Sequence, residues 1–144
     1  MTDLYQEVLV DHGKHPRNFR ALPDADRTAE GSNPLCGDEL TVSVRLRKGR
    51  IEEIAFHGAG CAVSVASASM MTLAVKGQVS AGVESLAERV RQLVAGDGAA
   101  AAQLGDLAAL SGVAQFPARV KCALLPWRAL EAALAGTAGR VTTE

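Results

Sequence analysis

Between residues 40 and 47 the chain alternates strictly. Leu40, Val42, Val44 and Leu46 are apolar, and Thr41, Ser43, Arg45 and Arg47 between them are polar. A period of two is that of a strand with one buried face. Lys48-Gly49 supplies a turn, and Ile51, Ile54 and Phe56 mark a return strand. Glu52-Glu53 break the alternation of that strand, as a β-bulge does. Upstream, Leu4, Tyr5, Val8 and Leu9 recur at helical spacing and His12 extends their face, until Gly13 and Pro16 end it. Residues 16–39 are rich in Pro, Asp, Asn and Gly, which predicts loop with one short strand near Arg27–Ala29.

Beyond the hairpin the period changes. A helix is expected from about Cys61 to Lys76, lined with Ala, Ser and Met and stopped by Gly77. A second amphipathic helix runs through Val83, Leu86, Val90, Leu93 and Val94, and Gly96-Asp97-Gly98 breaks it. A short helical piece follows around Gln103–Leu110, then a last helix between Ala118 and Leu134. Pro126 leaves two readings of that helix: it starts near Lys121–Leu124, or it is kinked at Pro126. The pattern is that of one domain over residues 1–136, with 137–144 expected to be a disordered tail.

Composition narrows the function classes. Apolar residues make up 48% of the 144, enough for a core that needs no disulfide or metal merely to fold. Fifteen Lys and Arg against sixteen Asp and Glu leave a formal charge of −1, so no basic field is present to hold nucleic acid. No run of about 18 apolar residues predicts a membrane helix. The acidic, amphipathic start is not that of a signal peptide, which places the expected home in the reducing cytoplasm. Three cysteines there point to metal binding or thiol chemistry rather than to disulfides.

Those cysteines and one aspartate are placed suggestively. Cys36 and Asp38 lie in Asn33-Pro34-Leu35-Cys36-Gly37-Asp38, just before the hairpin, and Cys61 lies just after it at a glycine corner opening a helix. Pairing of the two strands brings the hairpin ends, and so Cys36 and Cys61, together. Cys122, at or near the start of the last helix, is within reach if that helix crosses the sheet. Helix N-termini stabilise thiolate, and Gly37, Gly58 and Gly60 allow close backbone approach. Three thiolates and a carboxylate suit tetrahedral zinc. The ion's +2 against −4 leaves an excess that Arg119 and Lys121 can offset. Against this stands the ordinary role of cysteine as a small buried hydrophobe, and no C-x-x-C pair is present.

Longer motifs weigh in. Leu9-Val10-Asp11-His12 with His15-Pro16-Arg17-Asn18, the Asn33–Asp38 segment, Phe56-His57-Gly58-Ala59-Gly60-Cys61-Ala62-Val63-Ser64 and Phe116-Pro117-Ala118-Arg119-Val120-Lys121-Cys122-Ala123 together resemble the SufU branch of the IscU/NifU N-terminal family of iron–sulfur assembly proteins. The resemblance runs from Leu4 to about Ala133. Lys121 stands where IscU-type scaffolds carry histidine, and the stretch from Cys61 to Cys122 is longer than theirs. Leu35 and Pro126 depart from the family pattern, though neither is a ligand position.

The resemblance implies an α+β fold, a small antiparallel sheet with helices packed on one face. It implies zinc held by Cys36, Asp38, Cys61 and Cys122, a pyridoxal-phosphate cysteine desulfurase of the SufS type as partner, and downstream Suf assembly proteins beyond it. A chain of this kind is expected to be a monomer or weak dimer alone. It also implies ligand exchange, in which a partner histidine takes one zinc position and frees a cysteine. Cys36 is the expected sulfur acceptor, because its Pro/Gly loop can move. The rival expectations are a scaffold on which the same thiolates ligate iron or a [2Fe–2S] cluster, and a plain interaction domain with inert thiols. His12, His15 and His57 read as surface or loop histidines, Ser64, Ser67 and Ser69 as small packing residues, and Trp127 as a partly buried anchor.

Overall fold

A computed structural model describes residues 3–136 and 140–142. Helix α1 (Asp3–Lys14) is followed by β1 (Arg27–Asn33), β2 (Asp38–Arg47) and β3 (Arg50–Ala59). Then come α2 (Ala62–Val75), α3 (Ser80–Val94), 3-10 turns at Gly98–Ala101 and Gly105–Gln115, α4 (Pro117–Leu134) and the short β4 (Arg140–Thr142). The sheet order is β3-β2-β1-β4, with β1, β2 and β3 antiparallel and β4 parallel to β1. This is the expected α+β arrangement.

The hairpin forms as its pattern dictates. Leu40, Val42 and Val44 of β2 and Ile51, Ile54 and Phe56 of β3 are buried in the main core. Arg45 pairs with Glu53 and Leu46 with Ile51, so Glu52 is the extra residue of a bulge where the acidic pair interrupts the alternation. The strand foreseen near Arg27–Ala29 runs on to Asn33, although Glu30-Gly31-Ser32-Asn33 carries no apolar alternation. Its ladder with β2 and the cover of α4 hold it in place.

Helix α4 lies over β1 where Gly31 leaves room for it. A Cβ at Gly31 would sit 2.9 Å from Leu125 Cδ1 and 3.4 Å from the Ala129 Cβ. Leu125 and Ala129 share a face with Cys122, one turn earlier, so this contact aims Cys122 at the end of β1.

Of the two sequence readings of α4, the longer one, running through Pro126, is the one the structure has. The helix begins at Pro117, a first-turn position where the missing N–H costs nothing, and it continues through Pro126. Inside a helix a proline removes a backbone donor, here to the Cys122 carbonyl, at a cost of about 3 kcal/mol or more. One turn of α4 gains support from α2 in return. Ser67 Oγ donates to the Ala123 carbonyl at 2.6 Å, and Trp127 Nε1 donates to Ser67 Oγ at 3.2 Å. Trp127 is fully buried rather than partly so.

Two more expectations change. His12 is buried, not a surface residue: its Nδ1 lies 2.7 Å from Ser69 Oγ, which also accepts the Arg17 N–H at 2.8 Å. With Asn18 Nδ2 donating to Thr72 Oγ1, these bonds pin the first helix and its following loop to α2. Of the tail expected to be disordered, Arg140–Thr142 pair with Glu30–Ser32 of β1, and 137–139 and 143–144 lie outside the described residues. Among the described residues no helix is long and apolar enough to cross a membrane.

Candidate metal centre

The site forms where β1 ends, β2 begins, α2 opens and the second turn of α4 passes over them. Asn33, last in β1, is the register partner of Asp38, first in β2. The tight connection between them carries Cys36, whose N–H donates to the Asn33 carbonyl at 3.2 Å. Gly37 takes a left-handed φ of 71° in that turn.

Cys36, Asp38 and Cys122 offer two sulfurs and a carboxylate oxygen, all within 4.8 Å of one another. Cys36 and Cys122 Sγ are 3.1 Å apart, a contact between free thiols. Sulfurs bound to one zinc at 2.3 Å in a tetrahedron stand about 3.8 Å apart, so seating the ion parts them slightly. Asp38 is fully buried, and each of its oxygens is held: Oδ1 accepts the Cys61 N–H at 2.7 Å, and Oδ2 accepts Asn33 Nδ2 at 3.3 Å. Each oxygen keeps a lone pair for an ion.

Cys61 is placed differently from the other two cysteines. It is the residue before α2, extended at φ −71° and ψ 168°, and its side chain makes no capping bond. The hairpin sets its backbone directly on Asp38, and its sulfur stands outside the closest group while acting electrostatically on Cys122. Cys122 is near the start of its helix, as expected, but not in the first turn. It lies in the second turn of α4, so no unpaired N–H of the helix end stabilises its thiolate.

Electrostatics favour a cation here. Burial, and after it contact with Cys36, Asp38 and Cys61, pushes the Cys122 thiol well above the ordinary range. A divalent ion is the usual agent that reverses such a penalty, because a coordinating thiol is deprotonated outright. Arg119 is exposed, with Nη1 3.6 Å from Cys36 Sγ. Cys122 first, and then Cys61 and Cys36, hold its guanidinium still more firmly in the charged form. Lys121 is also exposed.

Glycine matters at this corner for a reason other than access to a metal. Gly58 has φ 128°, and a Cβ there would lie 2.2 Å from the Glu39 carbonyl oxygen of the neighbouring strand. Only glycine lets β3 stay in register with β2 up to the site. Asn33, quoted in the sequence only as part of a motif, is the residue that the reading missed. It is fully buried, and its Nδ2 donates to Cys122 Sγ at 3.3 Å as well as to Asp38. His15 and His57 are exposed as expected, and the serines of α2 are buried, with Ser64 Oγ donating to the Cys61 carbonyl at 3.1 Å.

The chain is similar to known proteins over nearly its whole length. The family model for the NifU-like N terminal domain matches residues 4–135. The zinc-dependent sulfurtransferase SufU of Bacillus subtilis (strain 168) is 41% identical over 137 residues, 94% of this chain and 92% of that protein. The iron–sulfur cluster assembly scaffold protein IscU of Streptococcus pyogenes serotype M1 is 40% identical over 135 residues, 93% of this chain and 84% of that protein. A crystal structure of a putative iron–sulfur cluster assembly scaffold protein for the SUF system, from Fervidobacterium islandicum AW-1, superposes with a TM-score of 0.81 at 31% identity, covering 89% of this chain and 94% of that one. The chain belongs to the family of NifU-like N-terminal domains.

Proposed function

We propose that this chain is a zinc-dependent acceptor of sulfane sulfur. It takes the sulfur as a persulfide on Cys36 from a pyridoxal-phosphate cysteine desulfurase and passes it toward iron–sulfur cluster assembly. Cys36, Asp38, Cys61 and Cys122 are the ligands in this reading. The zinc they hold would keep the thiolates ionised at neutral pH.

The observation that carries the reading is the inequality of the cysteines. Cys122 is fully buried on a helix packed against β1, whereas Cys36 is half-buried on a loop whose sulfur meets the exposed Arg119. A nucleophile must reach a partner's sulfur, and only Cys36 of this pair stands at the surface. Its thiolate attacks the outer sulfur of the desulfurase persulfide. A new S–S bond forms on Cys36, the donor's S–S bond breaks, and the donor cysteine leaves as thiolate. No net oxidation occurs, so no further reagent is needed.

The relatives named as scaffolds support a second reading, a platform for a [2Fe–2S] cluster on the same thiolates. Lys121 speaks for the first. It is an exposed ammonium beside Cys122, and an ammonium has no lone pair for iron.

Elemental analysis of protein purified without added metal, beside mass spectrometry after incubation with a cysteine desulfurase and cysteine, tests the proposal. Zinc near one per chain and an adduct of about +32 Da on Cys36 are expected. Cys36→Ser should abolish the adduct and keep much of the zinc, while Cys122→Ser should lose both zinc and stability. Iron in place of zinc, with no adduct, would establish the scaffold reading instead.

A further inference from the structure

Asn33 touches three of the proposed ligands at once. Its carbonyl accepts the Cys36 N–H at 3.2 Å, and its Nδ2 donates to Asp38 Oδ2 and to Cys122 Sγ, each at 3.3 Å. A primary amide carries two N–H donors on that nitrogen, and two acceptors face it. The side chain is fully buried, so solvent cannot substitute for either bond.

The three bonds have unequal consequences. The one to Asp38 fixes the carboxylate, whose other oxygen is already held by the Cys61 N–H at 2.7 Å. The one to Cys122 draws electron density from a sulfur that the exposed Arg119 also faces, and of the two donors Asn33 is the fully buried one. An N–H bond to a metal-bound thiolate lowers its nucleophilicity while leaving it a good ligand. The bond to Cys36 involves only the backbone, and leaves that sulfur to the exposed Arg119.

Resting on the metal reading above, we propose that Asn33 is a positioning residue that decides which cysteine reacts: its amide locks Asp38 and Cys122 as resident ligands and leaves Cys36 as the thiolate that can leave the metal. Partners of metal ligands in other proteins change metal affinity by about 10- to 100-fold when removed, the size of effect expected here.

Two variants separate donation from size. Asn33→Leu removes both donors at similar volume, and Asn33→Asp is nearly isosteric but offers an acceptor where a donor stood. Zinc loss to a chromogenic chelator is followed in each, with iodoacetamide labelling mapped by mass spectrometry. In the wild-type chain Cys36 should label and Cys122 stay protected. In both variants zinc should leave about 10- to 100-fold faster and Cys122 should label too. Circular dichroism shows whether each variant folds.

A third measurement needs no variant. In the wild-type chain loaded with ¹¹³Cd²⁺, a side-chain amide proton of Asn33 should show scalar coupling to the metal through Cys122 Sγ, and the other asparagine, Asn18, should not. A wild-type chain that holds neither zinc nor cadmium overturns the metal reading, and this proposal with it. A wild-type chain that holds the metal, with folded variants matching its zinc kinetics and labelling, overturns the role of Asn33 alone. So does the absence of the coupling in cadmium-loaded wild-type protein.

Discussion

Ser67→Ala tests how α4, the helix that carries Cys122, tolerates a proline in its interior. The substitution removes one hydroxyl from a fully buried position and changes little volume. It strips Trp127 Nε1 of its acceptor and the Ala123 carbonyl of a donor 2.6 Å away. A buried donor left without a partner costs about 1–3 kcal/mol, and the lost bond to the carbonyl adds about 1 kcal/mol. A total of about 3 kcal/mol follows, equivalent to a fall in Tm on the order of 10 °C for a chain of this size. Urea titration of metal-loaded protein measures the first quantity and thermal unfolding the second. A double-mutant cycle with Trp127→Phe sharpens the test, because Phe has no N–H to orphan. In that background Ser67→Ala should cost about 1–2 kcal/mol less than in the wild type. A Ser67→Ala variant within about 0.5 kcal/mol of wild type, or a cycle with no coupling, would refute the relay as the support of this turn.

Two other outcomes are expected. Chelation of the proposed zinc should lower the Tm by roughly 10 °C, since an ion held at about 1,000 times its Kd adds about 4 kcal/mol to the folded state; apoprotein as stable as the loaded form would remove the metal from the account. Burial, with Arg17 next, depresses the pKa of His12 below its usual 6.5 and outweighs the opposing pull of Asp106 and Asp11. The unfolded chain then binds the proton more readily, so the stability that His12 contributes is complete above about pH 6.5 and is lost as pH falls toward its folded pKa. Denaturant titrations from pH 8 to pH 5 should show a shallower acid loss in His12→Gln than in wild type; equal slopes would show that His12 is not the group concerned.

Local periodicity made the hairpin and α3 legible, because Leu40–Leu46 and Val83–Val94 each write their buried face directly into the sequence. The second half of β1 was not legible for the opposite reason: Gly31 and Asn33 face a helix about ninety residues downstream, and no local pattern records that. The same separation hid the environment of His12, whose partner Ser69 is on α2. At α4, Pro126 leaves the start of the helix open between two readings, and Pro117, in the first turn, is the start signal that decides for the longer one. At the site, the hairpin puts Cys36 and Cys61 at neighbouring strand ends, and Cys122 comes within reach only because α4 crosses the sheet; the group within 4.8 Å is Cys36, Asp38 and Cys122. Cys61 comes in through its backbone more than its sulfur. Asn33 carried a weak signal, an amide at the mouth of a Pro-Leu-Cys-Gly turn, but its second acceptor is 89 positions away.

The elements around the site also decide where motion for sulfur transfer can occur. Cys122 cannot shift alone: Leu125, on the same face, is wedged over Gly31, and Ser67 ties the next carbonyl of α4 to α2. Asp38 is closed in by two donors from different elements. The turn at 34–37 is built otherwise. Pro34, Leu35 and Gly37 are exposed, and a side chain added at Gly37 would meet nothing within 4 Å. Cys36 can therefore swing out by changing a few backbone angles in open space, giving up its backbone bond of 3.2 Å to the Asn33 carbonyl and the contacts of its sulfur with Cys122 and Arg119. A comparable displacement of Cys122 would drag Leu125 through a packed interface and cost several kcal/mol in lost contacts. The cysteine at the cheap end of that comparison is the one that a partner can draw away from the centre while the rest of it stays assembled.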